Sequence, residues 1–369
     1  MRNAESLLDV TDLVFIDPVM TGYSRPVRGE KREQFHGVTE DVNWVGEFVR
    51  LWTTRNGRWD SAKFLAGESY GTMRAAALVG HLQNRHGMYF NGIILVSSVL
   101  NGVTLMFEQG NDLSHLLVMP TLAATAWYHR RLDPALQRSL PKTIAAAREF
   151  AMGEYATALL QGDRLPAAQR QRVAAQLSRL LGLPVDLVER ADLRLNVADF
   201  TRELLRGEGQ VIGRLDGRYA GYTLDAVGGS GHYDPSYSAI QGAYTSAMNS
   251  LVRQTLKFET DLPYEILTDR VRPWNWKYEP GNHHYVTVMP TLRDAMTKNT
   301  QLRVLVANGY YDMATPFLAS EYTFAHLGLA PALRKNVSLT YYESGHMMYV
   351  HGPSRRQLKA DIAKFIRGA

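Results

Sequence analysis

Gly67-Glu68-Ser69-Tyr70-Gly71 decides how this chain is read. It follows the apolar run Lys63-Phe64-Leu65-Ala66 and precedes Thr72-Met73-Arg74-Ala75-Ala76-Ala77-Leu78-Val79, whose pattern is helical. Strand, sharp turn and helix in that order form the setting of a nucleophile elbow, where a strained turn holds a serine hydroxyl clear of the sheet edge. Glycines on both sides are expected to keep side chains out of a turn whose strand and helix backbones nearly touch. The next amide, that of Tyr70, falls at a helix N-terminus and is placed to donate to a developing oxyanion. A bare G-x-S-x-G also occurs as an ordinary tight turn, so the serine needs partners.

Two later stretches supply them. Leu302-Arg303-Val304-Leu305-Val306-Ala307-Asn308 predicts a buried strand that runs into Gly309-Tyr310-Tyr311-Asp312. Asn336-Val337-Ser338-Leu339-Thr340-Tyr341-Tyr342 predicts another that runs into Glu343-Ser344-Gly345-His346. Each candidate lies just past the carboxyl end of a strand, where open α/β sheets gather their functional loops. Serine, then aspartate, then histidine is the order found in α/β-hydrolases. In that reading Ser69 attacks, His346 takes and returns its proton, and Asp312 fixes the imidazole tautomer. Singly, each has a plainer reading: Asp312 precedes Met313-Ala314-Thr315-Pro316 and suits a helix start, and His346 is one of 11 histidines. The order and the strand ends together favour a triad.

With these residues in place, the chain resembles the serine carboxypeptidases. Gly67-Glu68-Ser69-Tyr70-Gly71 matches their nucleophile motif, including the unusual glutamate before the serine. Val306-Ala307-Asn308-Gly309-Tyr310-Tyr311-Asp312 is similar to their aspartate strand, and Gly345-His346-Met347 to their histidine turn. Upstream, Asp12-Leu13-Val14-Phe15-Ile16-Asp17-Pro18-Val19-Met20-Thr21-Gly22-Tyr23-Ser24 resembles the family's D-x-P-x-G-x-G-[FY]-S segment, in a form most like bacterial members. The resemblance is clear over residues 7–100 and 285–369 and faint between them.

The resemblance implies a serine-type carboxypeptidase that releases C-terminal amino acids through an acyl-enzyme on Ser69, with Asp312 and His346, using no cofactor and no metal. It implies that Tyr70 gives one oxyanion amide and that Glu68, protonated, hydrogen-bonds the substrate's C-terminal carboxylate. A neutral carboxyl in that place avoids like-charge repulsion. Tyr23 and Met347 fall where family loops line the substrate pocket. The residues alone leave Glu68 a second reading, a buried elbow residue paired with an arginine.

Three departures from the family pattern stand out. Met20 occupies a usual glycine position, and Tyr349 stands near a usual proline. The third is larger. The family's glycine-rich W-x-N-G-G-P-G-type segment, source of a second oxyanion amide, has no counterpart; the chain opens Met1-Arg2-Asn3-Ala4-Glu5-Ser6-Leu7-Leu8. Residues 13–16 are expected to form a strand, and the strand lost with that segment would lie between it and residues 64–66. Unpaired buried amides cost roughly 1–3 kcal/mol each, against a total stability of about 5–15 kcal/mol. The expectation is a sheet that pairs its strands differently or a chain poorly stable alone, with Met1 an internal start and roughly a hundred residues upstream. Loss of one oxyanion donor typically costs about 100- to 1000-fold in turnover.

Composition sets outer limits. With 369 residues, 45% of them hydrophobic, the chain can bury a large core in two structural units. No window approaches eighteen consecutive apolar residues, so no membrane span is expected. The first residues hold no signal-peptide core; a periplasmic or secreted location is expected only if a signal-bearing segment lies upstream. Zero cysteines rule out disulfides and thiol catalysis. The net charge of +5 is thinly spread, and Arg164, Arg170, Arg172 and Arg179 alternate with apolar residues as on a solvated helix face, not a nucleic-acid patch.

The α/β core runs to about Ser97-Ser98, after which about two hundred residues intervene before the aspartate strand. Residues 112–128, 141–160, 167–181 and 185–205 carry helical spacing, and a further helix is expected over 236–258. The predicted fold is therefore an α/β-hydrolase, a mostly parallel sheet flanked by helices, with core at 1–103 and 286–369 and a helical lid inserted at 104–285. Residues 214–219 and 228–235 are turn-rich links inside it, and the glycine cluster lacks the G-K-[ST] of a phosphate loop. His283 and His284 are adjacent and point to opposite faces if extended, so with His232 and Asp234 they make a poor metal set. Trp274 and Trp276 are expected to pack the lid.

Three functions remain open to the sequence: a carboxypeptidase acting on peptides with a free C-terminal carboxylate, an esterase or acyltransferase on the same triad, and an inert fragment that binds without catalysis. Dependence on a free carboxylate separates the first two. Side-chain preference, pH optimum and oligomeric state are not legible.

Overall fold

The fold is that of a computed structural model, which describes residues 3–224, 233–278 and 285–368. Apolar runs bounded by turn-formers become strands in chain order: β1 (Phe64–Ser69), β2 (Gly92–Ser98), a short pair β3 (Gln210–Ile212) and β4 (Ala220–Tyr222), β5 (Arg303–Gly309) and β6 (Val337–Tyr342). β1, β2, β5 and β6 hydrogen-bond in that order as one parallel sheet, with Gly92 opposite both Phe64 and Arg303. β3 and β4 form a separate antiparallel ladder.

Two helices belong to the first part, α1 (Val38–Arg55) and α2 (Tyr70–His86). Between β2 and β5 come α3 (Leu113–Tyr128), α4 (Pro134–Gln137), α5 (Leu140–Phe150), α6 (Ala156–Gln161), α7 (Ala167–Leu181), α8 (Val185–Arg190), α9 (Val197–Glu203), α10 (Pro235–Ser250) and α11 (Met289–Lys298). α12 (Phe317–Ala325) and α13 (Gly352–Arg367) follow β5 and β6.

Parallel strands need crossovers, and crossovers cover both faces of the sheet. The period-2 alternation of the strands sorts their residues accordingly. Ile93, Leu95, Val304 and Val306 face Val42, Met73, Ala76 and Leu292 of α1, α2 and α11. Ile94, Leu305 and Ala307 face Leu358, Ile362 and Phe365 of α13. The helices between β2 and β5 bury a core of their own, with Leu122 and Ala126 against Phe150, Leu177, Leu180 and Phe200. A smaller seam joins them to the sheet side, where Leu117, Ala124 and Ile144 meet Tyr311, Phe317 and Leu318.

Local chemistry explains the helix ends. α2 stops where Gly87 takes φ 61 and Met88 N–H reaches back to Leu82 O, a glycine-terminated cap. α7 follows Pro166 and ends at Gly182, φ 66. The single helix expected over 185–205 is instead two, because Asp192 and Leu193 turn left-handed (φ 52 and 62) and Asn196 starts α9 by accepting from Asp199 N–H. Arg170 pairs with Asp192, and Arg179 with Asp133 at 2.6 Å, so the basic face is stitched to its own surroundings.

The N-terminal stretch departs from expectation. Residues 13–16 join no ladder: β1 is the sheet edge, bonded only to β2, and Phe15 is 87% exposed. No strand among the described residues lies between the two, so nothing offers that backbone hydrogen bonds. The described sheet itself has no central gap, because β1, β2, β5 and β6 are contiguous. Met20 takes φ 74 while buried, a conformation that suits the glycine of the resembled motif far better than a methionine.

Candidate active site

Ser69 sits at the β1–α2 junction with φ 54 and ψ −124, outside the regions L-residues prefer. The turn is this sharp because strand and helix backbones meet: a Cβ on Gly67 would lie 1.9 Å from Gly71 O. Gly71 differs from expectation, since a Cβ there would meet nothing within 4 Å. Tyr70 opens α2, so its amide lies among the unpaired donors of that helix N-terminus. Its side chain is tied away from the turn, donating to Asp41 Oδ2 at 2.9 Å, where Arg74 Nε also donates at 2.7 Å.

Asp312 and His346 meet. His346 Nδ1 lies 2.9 Å from Asp312 Oδ2, with Asp312 fully buried and His346 5% exposed. Asp312 also serves its own turn, accepting Ala314 N–H and Thr315 N–H at 2.9 Å each on Oδ1 and Thr315 Oγ1–H at 2.7 Å on Oδ2. Oδ1 thus serves the turn before α12, which begins only at Phe317 after Pro316, and Oδ2 faces the imidazole. An Nδ1–H donor to Asp312 leaves Nε2 as the free lone pair. Burial alone would depress His346; the Asp312 charge and hydrogen bond, with Glu68, outweigh it and hold the imidazole above its ordinary value. A bulge completes the seat. The β1–β2 register slips at Ser69, which pairs with Ser98, and Ser97 (φ 54) donates its hydroxyl to His346 O at 2.6 Å. No hydrogen bond joins Ser69 Oγ to the imidazole among the described residues, a looseness common in unliganded sites.

Glu68 lies within electrostatic reach of both His346 and Asp312. Burial raises its carboxyl above the ordinary range, against the pull of His346 and a hydrogen bond from Tyr349, while Asp312 adds to the rise. Tyr349 Oη donates to Glu68 Oε1 at 3.2 Å. Among the described residues no lysine or arginine comes within ion-pair distance of Glu68.

The other expected residues are less central. Tyr23 packs against Phe258 and Tyr264, ring centroids 5.4 and 4.9 Å away, with its buried hydroxyl unpartnered; no described contact takes it to Ser69 or His346. Met347 lines a small crevice with Leu215, Tyr219 and Ile240. Trp274 and Trp276 set their rings edge-on to Tyr70, at 5.3 and 6.1 Å, so they pack against the elbow helix rather than the inserted helices. His232, His283 and His284 lie outside the described residues. Asp234 caps α10 and accepts from Arg214 and Leu215 amides. Among the described residues there is no metal-holding group of three or more suitable side chains, and no helix is long and apolar enough to cross a membrane.

A parallel sheet flanked by helices, with a strained serine at one strand end and a His–Asp pair at the ends of two others, defines an α/β-hydrolase. Its relatives narrow that further. The chain belongs to the serine carboxypeptidase family, whose model matches residues 1–352. No curated protein matches it. Among solved structures, one titled "Crystal structure of VinJ" is similar over 95% of this chain and 79% of that one, at 14% identity and a TM-score of 0.34.

Proposed function

We propose that this chain is a serine-type carboxypeptidase whose triad is Ser69, His346 and Asp312. The His346–Asp312 pair carries the reading, because it fixes the tautomer that leaves Nε2 free to accept the Ser69 proton. Ser69 Oγ adds to the carbonyl of the last peptide bond as its proton moves to His346 Nε2, and the negative charge that develops on the carbonyl oxygen faces the Tyr70 amide. Collapse breaks the C–N bond, His346 returns the proton to the leaving amine, and a free amino acid departs. Water then adds to the acyl-enzyme by the same proton route and releases the shortened peptide. Glu68, neutral, donates to the substrate's terminal carboxylate, a role supported by its burial and by the lack of a cationic partner among the described residues. The helices of 104–285 act as the lid that shapes the pocket, set between core segments 1–103 and 286–369.

Fluorophosphonate labelling read by peptide mass tests the triad. The expected result is one label on Ser69 in the wild type and none in Ser69→Ala. A chain that melts cooperatively yet takes no label would overturn the assignment and leave an inert, binding fold. Paired peptides with free and amidated C-termini then separate peptidase from esterase or acyltransferase: the peptidase reading requires a loss of at least about 100-fold on amidation.

A further inference from the structure

The β3–β4 connection, residues 213–219, runs directly against the two turns that carry the His–Asp pair. Met313 N–H donates to Arg214 O at 3.1 Å, Gly217 N–H to Tyr311 O at 2.9 Å, and His346 N–H to Leu215 O at 2.6 Å. Gly345 N–H donates to Asp216 Oδ2 at 3.0 Å. The Tyr311 carbonyl and the amides of Met313, Gly345 and His346 are therefore satisfied by this loop and not by the sheet.

Arg218 locks the arrangement. It forks onto Asp216, Nε to Oδ1 at 3.0 Å and Nη2 to Oδ2 at 2.7 Å. It also donates to Glu343 O at 2.8 Å and Ser344 Oγ at 3.1 Å, and its guanidinium lies 5.3 Å from the Tyr311 ring centroid. Both side chains are largely buried, 13% and 11% exposed for Arg218 and Asp216. The fit is tight, since a Cβ on Gly345 would fall 2.4 Å from Asp216 Cβ and from Leu215 O. On its far side the loop is held by inserted helices: His129, at the end of α3, donates Nε2–H to Gly217 O at 2.7 Å, and Ser236 of α10 accepts Asp216 N–H at 3.2 Å.

We propose that Asp216 and Arg218 are positioning residues, a clamp through which the inserted helices seat the Asp312 and His346 turns. The proposal rests on the triad reading above and adds that the sheet alone does not set the triad. A neutral ion pair works here through fixed hydrogen bonds, so the geometry of the fork matters more than its charge.

The test uses the full chain with Asp216→Ala, Asp216→Asn and Arg218→Lys. Two quantities are read: the rate of fluorophosphonate labelling at Ser69, and the proton resonance of the His346 Nδ1–H, assigned by its loss in Asp312→Asn. Asp216→Ala is expected to slow labelling about 100-fold, the cost of displacing a reacting group by about an ångström, and to move or broaden the Nδ1–H signal. Asp216→Asn, which keeps an acceptor oxygen for Gly345 but turns an NH2 donor toward Arg218, is expected to recover only part of the rate. Wild-type labelling and an unmoved signal in Asp216→Ala would overturn the clamp. If Asp216→Ala does not fold, Arg218→Lys decides: slowed labelling with a displaced signal supports the clamp, and neither change overturns it. If the wild type itself takes no label, the triad reading fails, and the Nδ1–H signal across the variants still decides whether the clamp holds the histidine.

Discussion

Glu68 and His346 titrate against one another. Ionised Glu68 helps hold His346 protonated, and protonated His346 favours ionised Glu68. The proposed working state is the opposite one, neutral glutamate with neutral imidazole, so activity on peptides is bounded on both sides. As pH falls, the imidazole protonates and the base is lost; because its value is raised, this acid limb lies above that of an ordinary histidine. As pH rises through the raised value of Glu68, the carboxyl ionises and repels the substrate carboxylate. Glu68→Gln keeps a donor at every pH and removes a charge that supports the imidazolium. Its kcat/KM profile is expected to lose the limb set by ionisation of Glu68; an unchanged profile would refute the role given to Glu68. Tyr349→Phe removes a hydrogen bond that favours ionised Glu68, so the limb set by Glu68 should move to higher pH.

At the level of elements, the sheet was legible because short apolar runs ending in functional turns leave few alternatives. β1, β5 and β6 lie where residues 63–66, 302–308 and 336–342 predicted. The break at Asp192 and Leu193 was not legible, since left-handed backbone at a leucine is imposed by packing and not by propensity. Nor was the β3–β4 hairpin: two three-residue strands carry too little alternation to show a period. Asp216 and Arg218 went unseen for the same reason, although the turn around them was recognised. Thr315 had a signal, an Asp–x–x–Thr spacing that lets the hydroxyl fold back on the carboxylate. Tyr349 had one too, as a departure from a usual proline that becomes the partner of Glu68.

A second contact between elements carries its own prediction. Arg148 of α5 pairs with Glu321 of α12, its guanidinium stacked 5.1 Å over Phe317, and Tyr341 donates to the same carboxylate at 2.8 Å. Burial raises Glu321 above its ordinary range despite Tyr341 and Arg148, so ionising it in place is costly. Arg148→Ala, which strands that carboxylate, should lower stability by about 1–3 kcal/mol in urea unfolding. Glu321→Gln should cost less than about 1 kcal/mol. An equal loss from both would place the stabilisation in the ion pair itself and not in the stacking of Arg148.

For the whole molecule, the long reach of the central ladder governs assembly. β2 and β5 are neighbours although Gly92 pairs with Arg303, and closing so long a loop costs entropy before any contact repays it. The inserted helices bury their own core, so their collapse shortens the effective loop and should come first. Refolding from urea is therefore expected to recover far-UV ellipticity before fluorophosphonate reactivity; simultaneous recovery would mean one cooperative unit.

The same separation has a meaning for synthesis. The elbow serine leaves the ribosome 277 positions ahead of the histidine, from residue 69 to residue 346. At about 5–20 residues per second, the nascent chain spends roughly a quarter of a minute to a minute with the proposed nucleophile made and the proposed base not yet translated. In the proposed triad, every product truncated between residues 69 and 346 carries the serine without its base.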